Sequence, residues 1–145
     1  MASEWQKLNK MNTILIFSHP GIGASLRKAA LATLKTLPCK VITISCSQDV
    51  DPEQMVAKAL KTLKNIKLEE GLIIFSDIFG ATPHNIANLV AKRTAHQTLL
   101  ISGINLPMLI RTLNYITLPL AAVCEKAIEG GLHGICENSG NSYDT

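Results

Sequence analysis

Four short runs of apolar, often β-branched residues recur along this chain, and between them the apolar positions switch to a helical period. The runs are residues 13–18 (Thr-Ile-Leu-Ile-Phe-Ser), 40–45 (Lys-Val-Ile-Thr-Ile-Ser), 71–76 (Gly-Leu-Ile-Ile-Phe-Ser) and 97–102 (Gln-Thr-Leu-Leu-Ile-Ser). Strands this uniformly apolar are covered on both faces, as in parallel sheets and not in one-sided antiparallel ones. Parallel neighbours need a crossover connection, and such crossovers are right-handed. The pattern therefore points to an α/β fold: a doubly wound open sheet, mostly parallel, with helices on both faces.

The intervening segments supply those helices. Residues 23–36 set Leu26, Ala29, Ala30, Leu34 and the following Leu37 on one face. Asp51-Pro52-Glu53 opens a second helix with a capping residue and a first-turn proline, and Met55, Val56, Ala59, Leu60 and Leu63 face inward. Residues 83–94 read as a third helix, Pro107 opens a fourth, and a longer one runs from Pro119 towards Ile135.

A chain of 145 residues fits one domain, and 47% apolar against 17% charged residues excludes a disordered one. The net charge of +3 is spread without a cluster of five or more cations, so neither a nucleic-acid footprint nor a basic membrane-binding patch is expected. No apolar run reaches the roughly 18 residues that a membrane span needs, so direct membrane insertion is not expected either. Cys39, Cys46, Cys124 and Cys136 form no C-x-x-C and no zinc spacing. Scattered thiols and no secretory signal make the cytoplasm the expected location. Residues 1–11 carry no period and read as an N-terminal extension, 12–136 as the folded domain, and 137–145 as a polar, flexible tail.

Chemistry is expected where the strands stop. In an open α/β sheet the functional crevice lies beyond the carboxyl ends of the strands, where strand order reverses. The first apolar run stops at His19-Pro20-Gly21, and the third at Asp77-Ile78-Phe79-Gly80-Ala81-Thr82-Pro83. If these strands flank the reversal, His19 and Asp77 face each other. A carboxylate accepting one ring N–H fixes the imidazole tautomer and leaves the other nitrogen free to attack. The plain alternatives are a histidine bonded only within its turn and an aspartate that only caps a helix.

The segment from Gly80 to Asn85 is a small-residue turn entering a helix. Its backbone amides, those at Gly80 and Ala81 included, and the Thr82 hydroxyl are candidate phosphate donors, as is the turn at Gly21. The structural reading is a tight turn with Thr82 as the helix cap. Ile22, Ile78 and Phe79 offer an apolar rim for a partner. His84 reads as a solvated first-turn histidine or an auxiliary phosphate contact. Gly103 and Asn105, after the fourth run, form a crevice wall in which Asn105 caps the next helix. His96 and His133 read as surface residues, and Lys58, Lys61, Lys64 and Lys67 as a solvated face. No P-loop, G-x-G-x-x-G, G-x-S-x-G or H-E-x-x-H is present.

Taken together, Ile-Leu-Ile-Phe-Ser-His19, Ser-Asp77-Ile-Phe-Gly-Ala-Thr82-Pro83-His-Asn85 and Gly103-Ile-Asn105-Leu-Pro107-Met108-Leu resemble the mannose-type IIA component of the bacterial sugar phosphotransferase system. The resemblance spans roughly residues 12–136, with three motifs in family order. It implies a phosphohistidine carrier, a phosphotransferase working without cofactor or metal. His19 would accept a phosphoryl group from the histidine phosphocarrier protein HPr and pass it to a IIB partner. Asp77 matches the family's active-site aspartate, and Thr82 its phosphate-side serine or threonine. The resemblance further implies a homodimer and an antiparallel edge strand near the C-terminus.

Three departures stand out. Pro20 replaces a glycine and removes a backbone donor, Ala81 replaces the second glycine of the turn, and His84 occupies an often apolar position. Other readings are a phosphoryl donor of a dihydroxyacetone kinase and a non-catalytic dimeric interaction module. A metal hydrolase using His19, Asp77 and His84 stands further off.

Overall fold

A computed structural model describes residues 11–67 and 71–138 of the chain. Its elements alternate as expected: β1 (Thr13–Ser18), α1 (Ile22–Leu34), β2 (Val41–Ser45), α2 (Pro52–Leu63), β3 (Leu72–Ser76), α3 (Thr82–Arg93), β4 (Thr98–Ser102), α4 (Leu106–Asn114) and α5 (Leu120–His133). The strands form one sheet in the order β2-β1-β3-β4, and every pairing is parallel. The chain steps from β1 to one side and then returns to the other, so strand order reverses between β1 and β3. That reversal puts the carboxyl ends of these two strands on either side of one crevice.

The central strands are apolar throughout because both their faces are covered. Ile14, Ile16, Ile73 and Phe75 pack into one cluster with Leu109 and Val123 of α4 and α5. Leu15, Phe17, Leu72 and Ile74 belong to a second cluster that holds Val56 of α2 and Ile86 of α3. Each of these eight strand side chains is 0% exposed. Burying a side chain of this size contributes about 1.5–3 kcal/mol, which makes β1 and β3 the anchor of the fold.

Helix ends follow local chemistry. The Asp51 side chain accepts the Glu53 amide at the start of α2, and Asn105 accepts the Met108 amide at 2.9 Å at the start of α4. Helix α1 stops two residues before the expected end, because Lys35 turns left-handed with φ of 70° while its amide still bonds Leu31. Helices α4 and α5 form a close hairpin in which Gly130 lies against Arg111; a Cβ at Gly130 would collide with the Arg111 side chain. At the opposite end of the sheet, the buried Asn12 donates to the Ile116 and Leu118 carbonyls, both at 2.9 Å. It ties the start of β1 to the turn between those two helices.

Three expectations are revised. No antiparallel edge strand occurs among the described residues: after β4 the chain enters α4 and α5, and residues 135–138 pair with no strand. Residues 106–133 carry a helical apolar period, which helix formation satisfies directly. Thr82 is not the cap of α3, since the cap position falls on Ala81 and Thr82 is the first helical residue. His96 is buried, with Nδ1 at 3.0 Å from Thr94 Oγ1 and Nε2 at 3.0 Å from the Ile66 carbonyl. His133 and the lysines at 58, 61, 64 and 67 are exposed as read. The expected extension, apart from Met11, and the tail from residue 139 lie outside the described residues.

Candidate active site

The crevice is built from the two residues that follow β1 and β3. Asp77 Oδ2 accepts the backbone N–H of His19 at 2.9 Å and lies 2.7 Å from the ring Nδ1. Its other oxygen accepts the Ile78 amide at 3.0 Å. The Asp77 side chain is 6% exposed and that of His19 35%, so the carboxylate forms the floor and the imidazole the accessible surface. Burial pushes the Asp77 carboxyl up. Hydrogen bonds from the His19 amide and ring, a bond from its own backbone and the charge of the ring outweigh that and hold it below its ordinary value.

An ionised carboxylate only accepts, so Nδ1 carries the ring proton. In the neutral ring Nε2, on the far side, then bears the lone pair, and it has no hydrogen-bond partner among the described residues. Such an arrangement can serve as an oriented nucleophile with a counter-charge behind it. Attack through Nε2 would leave a cationic ring, which the carboxylate stabilises.

Two buried serines brace this pair, and the sequence reading passed over both. Ser18 Oγ accepts the Gly23 amide at 2.8 Å and donates to the His19 carbonyl at 2.8 Å, fixing the turn into α1. The Ser76 carbonyl accepts the amides of Gly103 and Ile104 at 2.9 and 3.1 Å, pinning the loop after β4 to the end of β3. Its hydroxyl lies 3.0 Å from His84 Nδ1. The signal was present as a repeated Phe-Ser before both His19 and Asp77. Cys46 was also missed: its amide bonds the Ser18 carbonyl, and its thiol is pushed up to about 11 by burial and then by the Asp77 charge.

The other expected residues divide. Gly21 and Gly80 hold their turns at φ of 88° and 81°, which a side chain would strain. Ala81 stands at the α3 cap with no side chain to bond the first-turn amides. The exposed Thr82 hydroxyl has no partner among the described residues, and Asn85 Nδ2 donates back to the Gly80 carbonyl at 3.3 Å. Ile22, Ile78 and Phe79 are 42%, 58% and 78% exposed, an apolar rim beside the pair. His84 is half-buried rather than solvated, its ring centroid 4.7 Å from that of Phe79. Among the described residues no hydrogen bond joins Gly103 or Asn105 to His19. They line a separate cavity of about 440 Å³ along β4 and α5, and Asn105 Nδ2 donates to the Gly131 carbonyl at 3.2 Å. Among the described residues no group of three or more His, Cys, Asp and Glu side chains is placed to hold a metal ion.

Comparison with known proteins adds the family. No curated protein sequence matches. Among solved structures, the phosphotransferase system component EIIA from Streptococcus agalactiae superposes with a TM-score of 0.77 at 18% identity, covering 88% of this chain and 97% of that one. The mannose/sorbose-specific IIA subunit from Enterococcus faecalis gives 0.72 at 18% identity, covering 91% and 98%. The IIA protein associated with the fucose utilization operon of Streptococcus pneumoniae gives 0.70 at 17%, covering 88% and 93%. At these identities the likeness shows the fold. The EIIA-man family model, described as the PTS system fructose IIA component, matches residues 13–127 and so takes in His19, Asp77 and the whole α3 turn. The chain belongs to that family of sugar phosphotransferase system IIA components.

Proposed function

We propose that this chain is a phosphohistidine carrier in which His19 Nε2 accepts a phosphoryl group from HPr and hands it to a IIB component. The observation that carries this reading is the 2.7 Å contact between His19 Nδ1 and Asp77 Oδ2 at the strand-order reversal of a IIA-family chain. The Nε2 lone pair attacks the phosphorus of the donor's phosphohistidine. The donor's P–N bond breaks in line, and its electron pair returns to the donor ring. Asp77 keeps the Nδ1 proton in place and balances the cationic phosphoimidazole. Phosphoryl transfer asks a protein mainly for positioning and charge stabilisation. The groups offered to the phosphate oxygens are the uncapped first turn of α3, the Thr82 hydroxyl and the glycine turns at 21 and 80.

Residues 12–136 form the carrier domain, and the protein works in the cytoplasm. No described helix is long and apolar enough to cross a membrane. A homodimer is part of the reading. Among the described residues strand β4 is a sheet edge, and beside it Ile128, Leu132 and Ile135 are 46%, 64% and 76% exposed. Open edges and apolar patches of this kind are places where a second chain docks.

The test is incubation with phosphoenolpyruvate, Enzyme I and HPr, then intact mass at neutral pH. Wild type gains one acid-labile phosphate and His19→Ala gains none. A wild type that stays unmodified beside active HPr would overturn the reading in favour of another donor or an interaction module.

A further inference from the structure

The Ser76–His84–Phe79 cluster lies outside the attacking pair. Ser76 is fully buried and its hydroxyl holds His84 Nδ1 at 3.0 Å. The His84 ring in turn meets the Phe79 ring at 4.7 Å, tilted by 49°. A large aromatic that is 78% exposed would ordinarily sweep through several rotamers. Here it leans on a ring that is itself anchored in the sheet. Phe79 is two residues from Asp77, so their Cα atoms are at most about 7.6 Å apart.

From this geometry we infer that His84 is a positioning residue: it holds Phe79 ready as the apolar anchor on which the phosphoryl-donor protein docks. This rests on the carrier reading above. Any protein donor must bring its phosphorus to within about 3.5 Å of His19 Nε2 before attack, so its surface has to cover the residues around that ring. Ile22, Ile78 and Phe79 are the exposed apolar side chains there. The occupant is therefore a donor with an apolar face around its own phosphohistidine. An aromatic that is already ordered gives up little freedom on contact, which is how anchors at protein interfaces gain affinity. Losing the ring contact is expected to weaken docking about three- to tenfold, the range for one aromatic pair.

The experiment is steady-state transfer from phospho-HPr to wild type, His84→Ala, His84→Phe, Phe79→Ala and the double Ala variant. His84→Ala is expected to raise KM about three- to tenfold with kcat within about twofold, and His84→Phe, which keeps a ring against Phe79 but loses the bond to Ser76, to recover only part of the wild-type KM. Phe79→Ala, an exposed change with little bearing on folding, should match His84→Ala or exceed it. The double variant should be no worse than Phe79→Ala, the non-additivity of one coupled unit. An unchanged KM in Phe79→Ala overturns the inference alone, as does a fall in kcat with KM unmoved in His84→Ala. A change of oligomeric mass in Phe79→Ala without a change in KM also overturns it, giving the anchor to a second copy. A wild type that takes no phosphoryl group from HPr overturns both this inference and the carrier reading.

Discussion

A carboxylate that accepts both the amide and the ring N–H of one histidine holds that ring in one place and one tautomer. Asp77 does so for His19. Asp77→Asn presents an amide whose NH₂ can bond Nδ1 as a donor, which favours the tautomer with the proton on Nε2, where attack is blocked. The expected loss in phosphorylation rate is on the order of 10²-fold or more, measured with HPr in excess. The same carboxylate is linked to stability. Its folded pKa lies below the ordinary value of 3.8, so its contribution is complete above that pH and is lost as pH falls through the folded value. Urea midpoints at pH 6 and pH 3 should therefore drop more for wild type than for Asp77→Asn. The pairing itself was legible because each residue ends an apolar run. The placement of His84 was not: its partner Ser76 reads only as the last residue of a strand. The burial of His96 was hidden for the same reason, since its acceptor is the Ile66 carbonyl, 30 residues away.

At the scale of elements, strands were easier to read than the joints between helices. Runs such as Ile14–Phe17 advertise two buried faces, whereas the α4–α5 hairpin depends on small residues whose role appears only when the helices meet. Gly130 looks like a helix weakener by propensity, yet it is where Arg111 crosses. Gly130→Ala should cost about 1–3 kcal/mol from overpacking, despite the better helix propensity of alanine, as read from urea unfolding. Asn12 is similar. Nothing in the sequence links it to the Ile116 and Leu118 carbonyls more than a hundred residues away, but two buried bonds depend on it. The missing cap at α3 is a third case. Thr82 has the chemistry of a cap, and the backbone places it one residue too late.

For the whole molecule, the sequence pattern implied the layers and the parallel sheet, and the strand order β2-β1-β3-β4 put the reversal where His19 and Asp77 meet. The expected edge strand came from family resemblance rather than from an apolar run of this chain, and the described residues form helices there. The open β4 edge with its apolar neighbours gives a prediction at this scale. On the homodimer and carrier reading proposed above, Leu132→Asp should shift the protein from dimer to monomer in sedimentation equilibrium and leave phosphorylation of His19 in place, because Leu132 borders the cavity beside β4 and not the His19–Asp77 pair. One more consequence follows from the 58 residues that separate the histidine from its carboxylate. As the chain leaves the ribosome, β1 can pair with β2 long before β3 exists, and throughout that interval the imidazole is free to rotate and has no counter-ion. The ring gains its fixed tautomer and its counter-charge only when β3 inserts along the other side of β1. The His19–Asp77 pair is thus a reporter of β3 insertion, and in the carrier role proposed above the nascent chain presents no oriented imidazole to a donor until the two central strands have met.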